Sequence, residues 1–134
     1  EAALPLYGQD MDADTSPSEA GLAWAIARSR RPGGAKAGGF PGAAYIDRAG
    51  RRFVGLLGVG PVPVRSGAEL VDASGASVGR VSSGTVSPTL GKPVMLAYVD
   101  SGVSDETQLN ALVRNQAHPV KIARLPFVPK RYKR

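Results

Sequence analysis

The series of short strand-like segments and turns that begins at Arg51 constrains the fold of this chain more than any other feature of its sequence. From there on, short segments rich in apolar and β-branched residues recur six times, and turn residues separate them. The six predicted strands are 51–58, 68–72, 76–83, 93–99, 108–114 and 119–125. Six short strands at this spacing, with no helix between them, are typical of a small antiparallel barrel or sandwich.

The first 50 residues follow a different pattern. Ser16 and Glu19 have the spacing of a capping box, so a helix is predicted to begin there and to run to about residue 28. Trp24 falls on the apolar face of that helix, and we expect it in the core. A second short helix is predicted from Phe40 to about Arg48. We therefore divide the chain into a helical lead-in, residues 1–50, and a barrel domain with a basic tail, residues 51–134.

Composition excludes several classes of protein. Seventeen Gly and 11 Pro argue against a long helical bundle, and the absence of Cys excludes disulfides and thiolate metal sites. No apolar run approaches the roughly 18 residues that cross a bilayer, so no membrane partner is expected. The net charge is +6, yet the first 20 residues carry five acids and no base. The basic excess therefore lies in the rest of the chain.

No stretch has the residues of a complete catalytic centre. Asp10, Asp12 and Asp14 alternate as in a calcium loop, but the Gly and Glu that such a loop needs at its sixth and twelfth positions are missing. Asp105 and Glu106 lie in a turn-like segment without an evident partner. We therefore predict no catalytic residue and no metal site within this chain.

The basic C-terminal tail leaves a binding function open. Arg131 and Tyr132 are planar side chains among positive charges, and such groups can stack on nucleobases. A low aromatic share of 6% argues against a single-strand binder. A free-standing basic β-barrel that binds nucleic acid remains the alternative function at this point.

Four stretches together resemble one family, the T-protein of the glycine cleavage system, an aminomethyltransferase. They occur in the family's order and span nearly the whole chain: LPLYGQDMDADTSPSEAGLAWAI (4–26), GGFPGAAYI (38–46), GRVSSGTVSPTLGKPVMLAYV (79–99) and LPFVPKRY (125–132). The resemblance implies that the strands form a small six-stranded antiparallel β-barrel, preceded by one or two helices. It also implies that the chain is the C-terminal third or so of a three-domain enzyme.

The activity implied by the resemblance is transfer of a methylene group to tetrahydrofolate. Its donor is the aminomethyl group on the lipoyl arm of H-protein, and ammonia is released. Tetrahydrofolate is then a co-substrate and H-protein a partner, with no metal required. Because the acid that positions the folate belongs to the family's N-terminal part, we expect this fragment alone to be inactive. The implied location is the bacterial cytoplasm, or the mitochondrial matrix of a eukaryote.

The resemblance carries few site residues onto this chain. Tyr7 follows the folate-contacting motif, and Arg131 or Tyr132 matches the family's last substrate contact. We predict that these three residues bind the folate or its glutamate end, where a guanidinium suits a carboxylate. We also expect the apolar face of residues 16–28 to be exposed in the fragment and to promote self-association.

Overall fold

Six antiparallel strands close into a barrel in the computed structural model, which describes residues 1–129. The strands are β1 (Arg51–Gly58), β2 (Glu69–Val71), β3 (Ser77–Ser87), β4 (Lys92–Asp100), β5 (Leu109–Val113) and β6 (Gln116–Ala123). Around the barrel their order is β1-β4-β3-β2-β5-β6. Each observed strand overlaps one predicted segment, so the prediction of a six-stranded antiparallel barrel is confirmed.

The barrel interior is filled by alternate residues of the strands. On β4, for example, Met95, Ala97 and Val99 are almost completely buried and belong to the core. The side chains between them therefore face the outer wall, because successive residues of a strand point to opposite faces. Tyr98 lies on that outer wall, and it is nevertheless buried, with 8% exposure. Something outside the barrel must cover it.

The β5–β6 hairpin begins its second strand earlier than the sequence suggests. Arg114 and Asn115 form the turn, both with positive φ, at 52° and 63°. A turn of this type suits the twist of a hairpin, but it usually contains Asn-Gly or a similar pair. Because Arg is rare in this conformation, the sequence does not indicate a turn here, and the last strand is predicted to begin at residue 119, whereas β6 begins at Gln116.

The lead-in is built from turns and not from a long helix. The capping box forms as predicted, since the backbone N–H of Glu19 donates to Ser16 Oγ (3.1 Å) and that of Ser16 donates to Glu19 Oε2 (3.0 Å). The helix ends after a single turn, however, because Gly21 adopts the left-handed conformation with φ of 69°. The N–H of Leu22 then donates to the carbonyl of Pro17, and that of Gly21 to Ser18, which is a Schellman motif.

After that turn, only three short 3₁₀ turns follow before the barrel. They are Ala23–Ala25, Arg28–Arg30 and Ala43–Tyr45. The continuous helix expected to residue 28 is therefore replaced by isolated turns, and the second expected helix is reduced to one of them. Placing Trp24 in the core was wrong, since its side chain is 73% exposed. No helix among residues 1–129 is long and apolar enough to cross a membrane.

Candidate functional site

The first residue of the lead-in is held against the β3–β4 hairpin. The Glu1 carboxylate accepts hydrogen bonds from Ser87 Oγ and from the backbone N–H and hydroxyl of Thr89, both of the latter at 2.9 Å. Ser87 is completely buried. The hydrogen bond from Ser87, followed by those from Thr89, lowers the pKa of the Glu1 carboxyl. The carboxylate is therefore the form that makes this contact.

A second contact joins the acidic segment 8–15 to the middle of β3. Ser82 Oγ donates to Asp10 Oδ1 at 2.6 Å, and the backbone N–H of Leu6 donates to the other oxygen of that carboxylate at 3.0 Å. Gln9 Nε2 donates to the carbonyl of Ser82 at 2.7 Å. Asp10 is only 5% exposed. Its charge therefore serves to fix the segment on the barrel wall.

The capping box supplies the third contact, at the start of β1. Ser16 Oγ donates to the carbonyl of Arg48 at 2.6 Å, and the backbone N–H of Phe53 donates to the carbonyl of Glu19 at 2.8 Å. The Glu19 carboxylate lies 3.8 Å from Nε of Arg51. These three contacts tie together sequence stretches that are far apart in the chain.

Between segment 8–15 and the barrel wall lies a cavity of about 260 Å³, which we call the loop pocket. Its floor is the outer wall of β3 and β4, and its rim includes the start of β1 and a turn before β2. The chemically important lining residues are Asp10, Asp12, Arg51, Arg80, Ser82 and Tyr98. The rings and charges against Tyr98 are those of Phe53 and Arg51, and the acidic segment faces Tyr98 across the cavity.

Tyr98 is the most unusual side chain of the loop pocket. Its hydroxyl is buried and has no hydrogen-bond partner among residues 1–129. The Arg51 guanidinium lies 4.6 Å from the centre of its ring, within the range of a cation–π contact. Burial raises the pKa of Tyr98 to about 12, although the nearby Arg51 opposes that shift. The hydroxyl is therefore a neutral donor at physiological pH.

The Asp12 carboxylate is used within the acidic segment itself. Asp12 Oδ1 accepts from Thr15 Oγ1 at 2.7 Å and from the backbone N–H of Asp14 at 3.1 Å. The hydrogen bond from Thr15 is the main reason that the pKa of Asp12 is lowered. Within residues 1–129 no three His, Cys, Asp or Glu side chains come together as a possible metal site.

The predicted folate-binding residues are not assembled into one site by the described residues. Tyr7 lies just before the loop pocket, but its side chain is 67% exposed, and its backbone forms a bridge with Met11. Arg131 and Tyr132 lie outside the described residues. A folate-binding role for these three residues therefore stays a prediction.

Sequence reasoning missed the loop pocket itself. The available signals were a polar Tyr98 at an outward position of an otherwise apolar strand and an Arg51 at the start of the first strand. These residues are 47 positions apart in the sequence. They meet only because β1 pairs with β4 so that Phe53 lies opposite Tyr98 and Arg51 opposite Asp100. That register cannot be read from either segment alone.

The fold and these contacts define the class of protein. It is a closed antiparallel barrel domain whose N-terminal segment is fixed to the outer wall of the barrel. The sequence profile of the glycine cleavage T-protein C-terminal barrel domain matches residues 51–129. The chain therefore belongs to this family, which confirms the resemblance seen in the sequence.

Relatives match the chain over almost its whole length. Mitochondrial aminomethyltransferase of Gallus gallus is 43% identical over 138 aligned residues, which cover 98% of this chain and 34% of that protein. The corresponding protein of Flaveria trinervia is 41% identical and is covered to 33%. The chain thus spans about a third of the length of the curated relatives it matches.

The same fold occurs in a solved structure. The glycine cleavage system aminomethyltransferase T from Bartonella henselae superimposes with a TM-score of 0.85 and 32% sequence identity. The match covers 99% of this chain and 37% of that one. These comparisons do not support the alternative of a free-standing nucleic-acid-binding barrel.

Proposed function

We propose that this chain is the C-terminal part of an aminomethyltransferase of glycine cleavage. The complete enzyme would transfer the methylene group from the aminomethyl-lipoyl arm of H-protein to tetrahydrofolate, with release of ammonia. The observation that carries the proposal is the family match over residues 51–129, together with 43% identity to an aminomethyltransferase across 98% of the chain. Tetrahydrofolate is the co-substrate in this proposal, and lipoylated H-protein is the protein partner.

Residues 1–50 are proposed to belong with the domains that precede the barrel in such an enzyme. The support is the exposure of large apolar side chains in this part of the chain: Trp24 is 73% exposed, Leu4 70% and Tyr7 67%. Leu6 and Tyr45 are each 65% exposed as well. Exposed apolar residues in this number are typical of a surface that another protein surface covers.

Tyr7 is proposed to contribute to the folate pocket from within that surface. Its exposed ring is available to a ligand or to a second domain, and it lies directly before the segment fixed by Asp10. Arg131 and Tyr132 are proposed to contact the glutamate end of the folate. A conservative test is Tyr7→Phe against Tyr7→Ala, because the first keeps the ring and the second removes it.

The activity is tested by supplying aminomethyl-loaded H-protein and tetrahydrofolate. We expect ammonia and methylenetetrahydrofolate to form with the protein at its full natural length and not with the 134 residues alone. Activity of these 134 residues by themselves would contradict the proposal that they are only one part of the enzyme. No activity of the full-length protein would contradict the proposed function. A bacterial protein of this kind would act in the cytoplasm, and a eukaryotic one in the mitochondrial matrix.

Trp24 is a direct probe of the proposed domain contact, because it is the single Trp of the chain. We expect acrylamide to quench its fluorescence readily in the 134-residue chain and much less in the full-length protein, with any further Trp residues replaced. Equal quenching in both would contradict the proposed cover.

Sedimentation of the shorter chain at rising concentration tests self-association, and Trp24→Ser should weaken that association.

A further inference from the structure

The loop pocket combines features of a binding site that the proposed function does not use. Its floor holds a buried hydroxyl, that of Tyr98, which has no hydrogen-bond partner among the described residues 1–129. An unpaired polar group in such a place costs about 1–3 kcal/mol, so proteins rarely leave one without a partner. The cavity is about 260 Å³, whereas one water occupies roughly 30 Å³ in the liquid. There is room for a small organic molecule.

The charges of the lining are balanced. Arg51 and Arg80 carry two positive charges, and Asp10 and Asp12 carry two negative ones. Asp10 is fully engaged with the lead-in and with Ser82, as described above. In contrast, the Arg80 guanidinium makes no hydrogen bond or ion pair with any of residues 1–129. Asp12 Oδ2 likewise has no donor within that range. One cationic and one anionic group thus remain available.

The equal numbers of positive and negative charges in the lining determine which kinds of ligand the loop pocket favours. A simple anion in the pocket would lie close to two carboxylates, and a simple cation would lie close to two guanidinium groups. Either would meet as many like charges as opposite ones, so its net electrostatic gain would be small. A molecule that carries both charges can place each one beside its opposite. The unpaired Tyr98 hydroxyl adds a donor, which suits the negative end of such a molecule.

We propose that the loop pocket binds a free α-amino acid as its zwitterion. Its carboxylate faces the Arg80 guanidinium and the Tyr98 hydroxyl, and its ammonium group faces Asp12. A hydroxyl that stays protonated well above neutral pH, as that of Tyr98 does, supplies the donor that this arrangement requires. The proposal does not depend on the transfer reaction, because neither H-protein nor folate takes part in it.

The test is calorimetric titration of the full-length protein with glycine, L-alanine and L-serine. N-acetyl-L-alanine, which lacks the ammonium charge, and L-alaninamide, which lacks the carboxylate, are the matched ligands. At least one amino acid should bind saturably. Each of the two analogues should bind about tenfold more weakly than L-alanine or worse, equivalent to about 1.4 kcal/mol. Equal binding of an analogue, or no saturable binding by any amino acid, overturns the proposal.

Variants then locate the site. Tyr98→Phe should weaken binding about three- to tenfold, the value of one hydrogen bond, and Arg80→Gln should weaken it further because a charge is lost. Tyr45→Phe is the control, since Tyr45 is 65% exposed and lies outside the loop pocket. Thermal unfolding without ligand shows whether Tyr98→Phe still folds. We expect it to be at least as stable, because an unpaired buried hydroxyl is removed. Unchanged affinity in the folded variant overturns the proposal.

Discussion

Replacing Gly79 by Ala should destabilise the barrel because β3 and β4 approach too closely there to admit a side chain. A Cβ added at Gly79 would overlap the carbonyl oxygen of Tyr98 and would lie 2.9 Å from Cα of Val99. Carbon atoms in good contact are about 3.5 Å apart, so β4 would have to move by about 0.6 Å or more. Both atoms belong to the backbone, and no rotation of a side chain can relieve the overlap.

The expected loss follows from that displacement. Overpacking of this kind costs about 1–3 kcal/mol, and a strained ladder hydrogen bond adds about 0.5–1.5 kcal/mol. We therefore expect Gly79→Ala to lower the free energy of unfolding by about 2–4 kcal/mol. At about 4 °C per kcal/mol for a domain of this size, the melting temperature should fall by about 8–16 °C. Urea denaturation followed by circular dichroism measures the first quantity directly.

Two further variants make the test specific. At Gly55, an added Cβ would collide with the side chains of Leu125 and Phe127, which can rotate away, so Gly55→Ala should cost less, about 1–2 kcal/mol. At Gly102 no atom lies within 4 Å of the added Cβ and φ is not positive, so Gly102→Ala should be neutral or slightly stabilising. The reasoning fails if Gly79→Ala is as stable as Gly102→Ala.

Three other predictions concern a loss of stability, a gain of stability and a dependence of stability on pH. Ser16→Ala removes the buried cap of the lead-in and should cost about 1–2 kcal/mol in urea denaturation, whereas Ser18→Ala, which loses no side-chain hydrogen bond, should change stability by less than about 0.5 kcal/mol. Replacing Arg114-Asn115 by Asn-Gly should raise the free energy of unfolding by about 0.5–1 kcal/mol, and with it the melting temperature, because both positions have positive φ. A lower melting temperature would show that Arg114 makes a contact whose loss outweighs the relief of backbone strain. Because the pKa of Tyr98 is raised to about 12 from 10.0, the folded state holds this proton more tightly than the unfolded state does. Titration of Tyr98 therefore leaves stability unchanged below pH 10 and lowers it as the pH rises towards 12. Tyr98→Phe should lack that part of the alkaline decline, and identical declines in both proteins would contradict the assigned burial.

The strands could be predicted because their signals are local. Segment 51–58, for example, is short, largely apolar after its first two residues and followed by turn residues. The structure has β1 at Arg51–Gly58, as predicted. The lead-in was harder because two local signals conflict there. The capping box at Ser16 and Glu19 starts a helix, but Gly21 takes the left-handed conformation two residues later and ends it. An apolar periodicity that continues past such a glycine does not indicate a helix.

The loop pocket depends on information of another kind. Its three walls are segment 8–15, the start of β1 and the outer face of β3 and β4. They meet through the barrel's register and through the hydrogen bond between Ser82 and Asp10, 72 positions apart. No period or short motif encodes such a meeting. The sequence argued against a calcium loop in the acidic segment, but it could not show that Asp10 anchors the backbone of the lead-in to the barrel.

The contacts between the lead-in and the barrel also indicate which side chains of the lead-in hold it on the barrel. Its described contacts with the barrel are largely polar: Glu1 with Ser87 and Thr89, Asp10 with Ser82, and Glu19 with Arg51. Several of its large apolar side chains, Trp24 above all, are exposed to solvent, although Ile46 is buried. Polar contacts specify a position but bury little apolar area, and burial of apolar area is the main source of association free energy. A segment that the barrel positions and that leaves several large apolar side chains exposed is suited to contact a second surface, as the proposed enzyme requires.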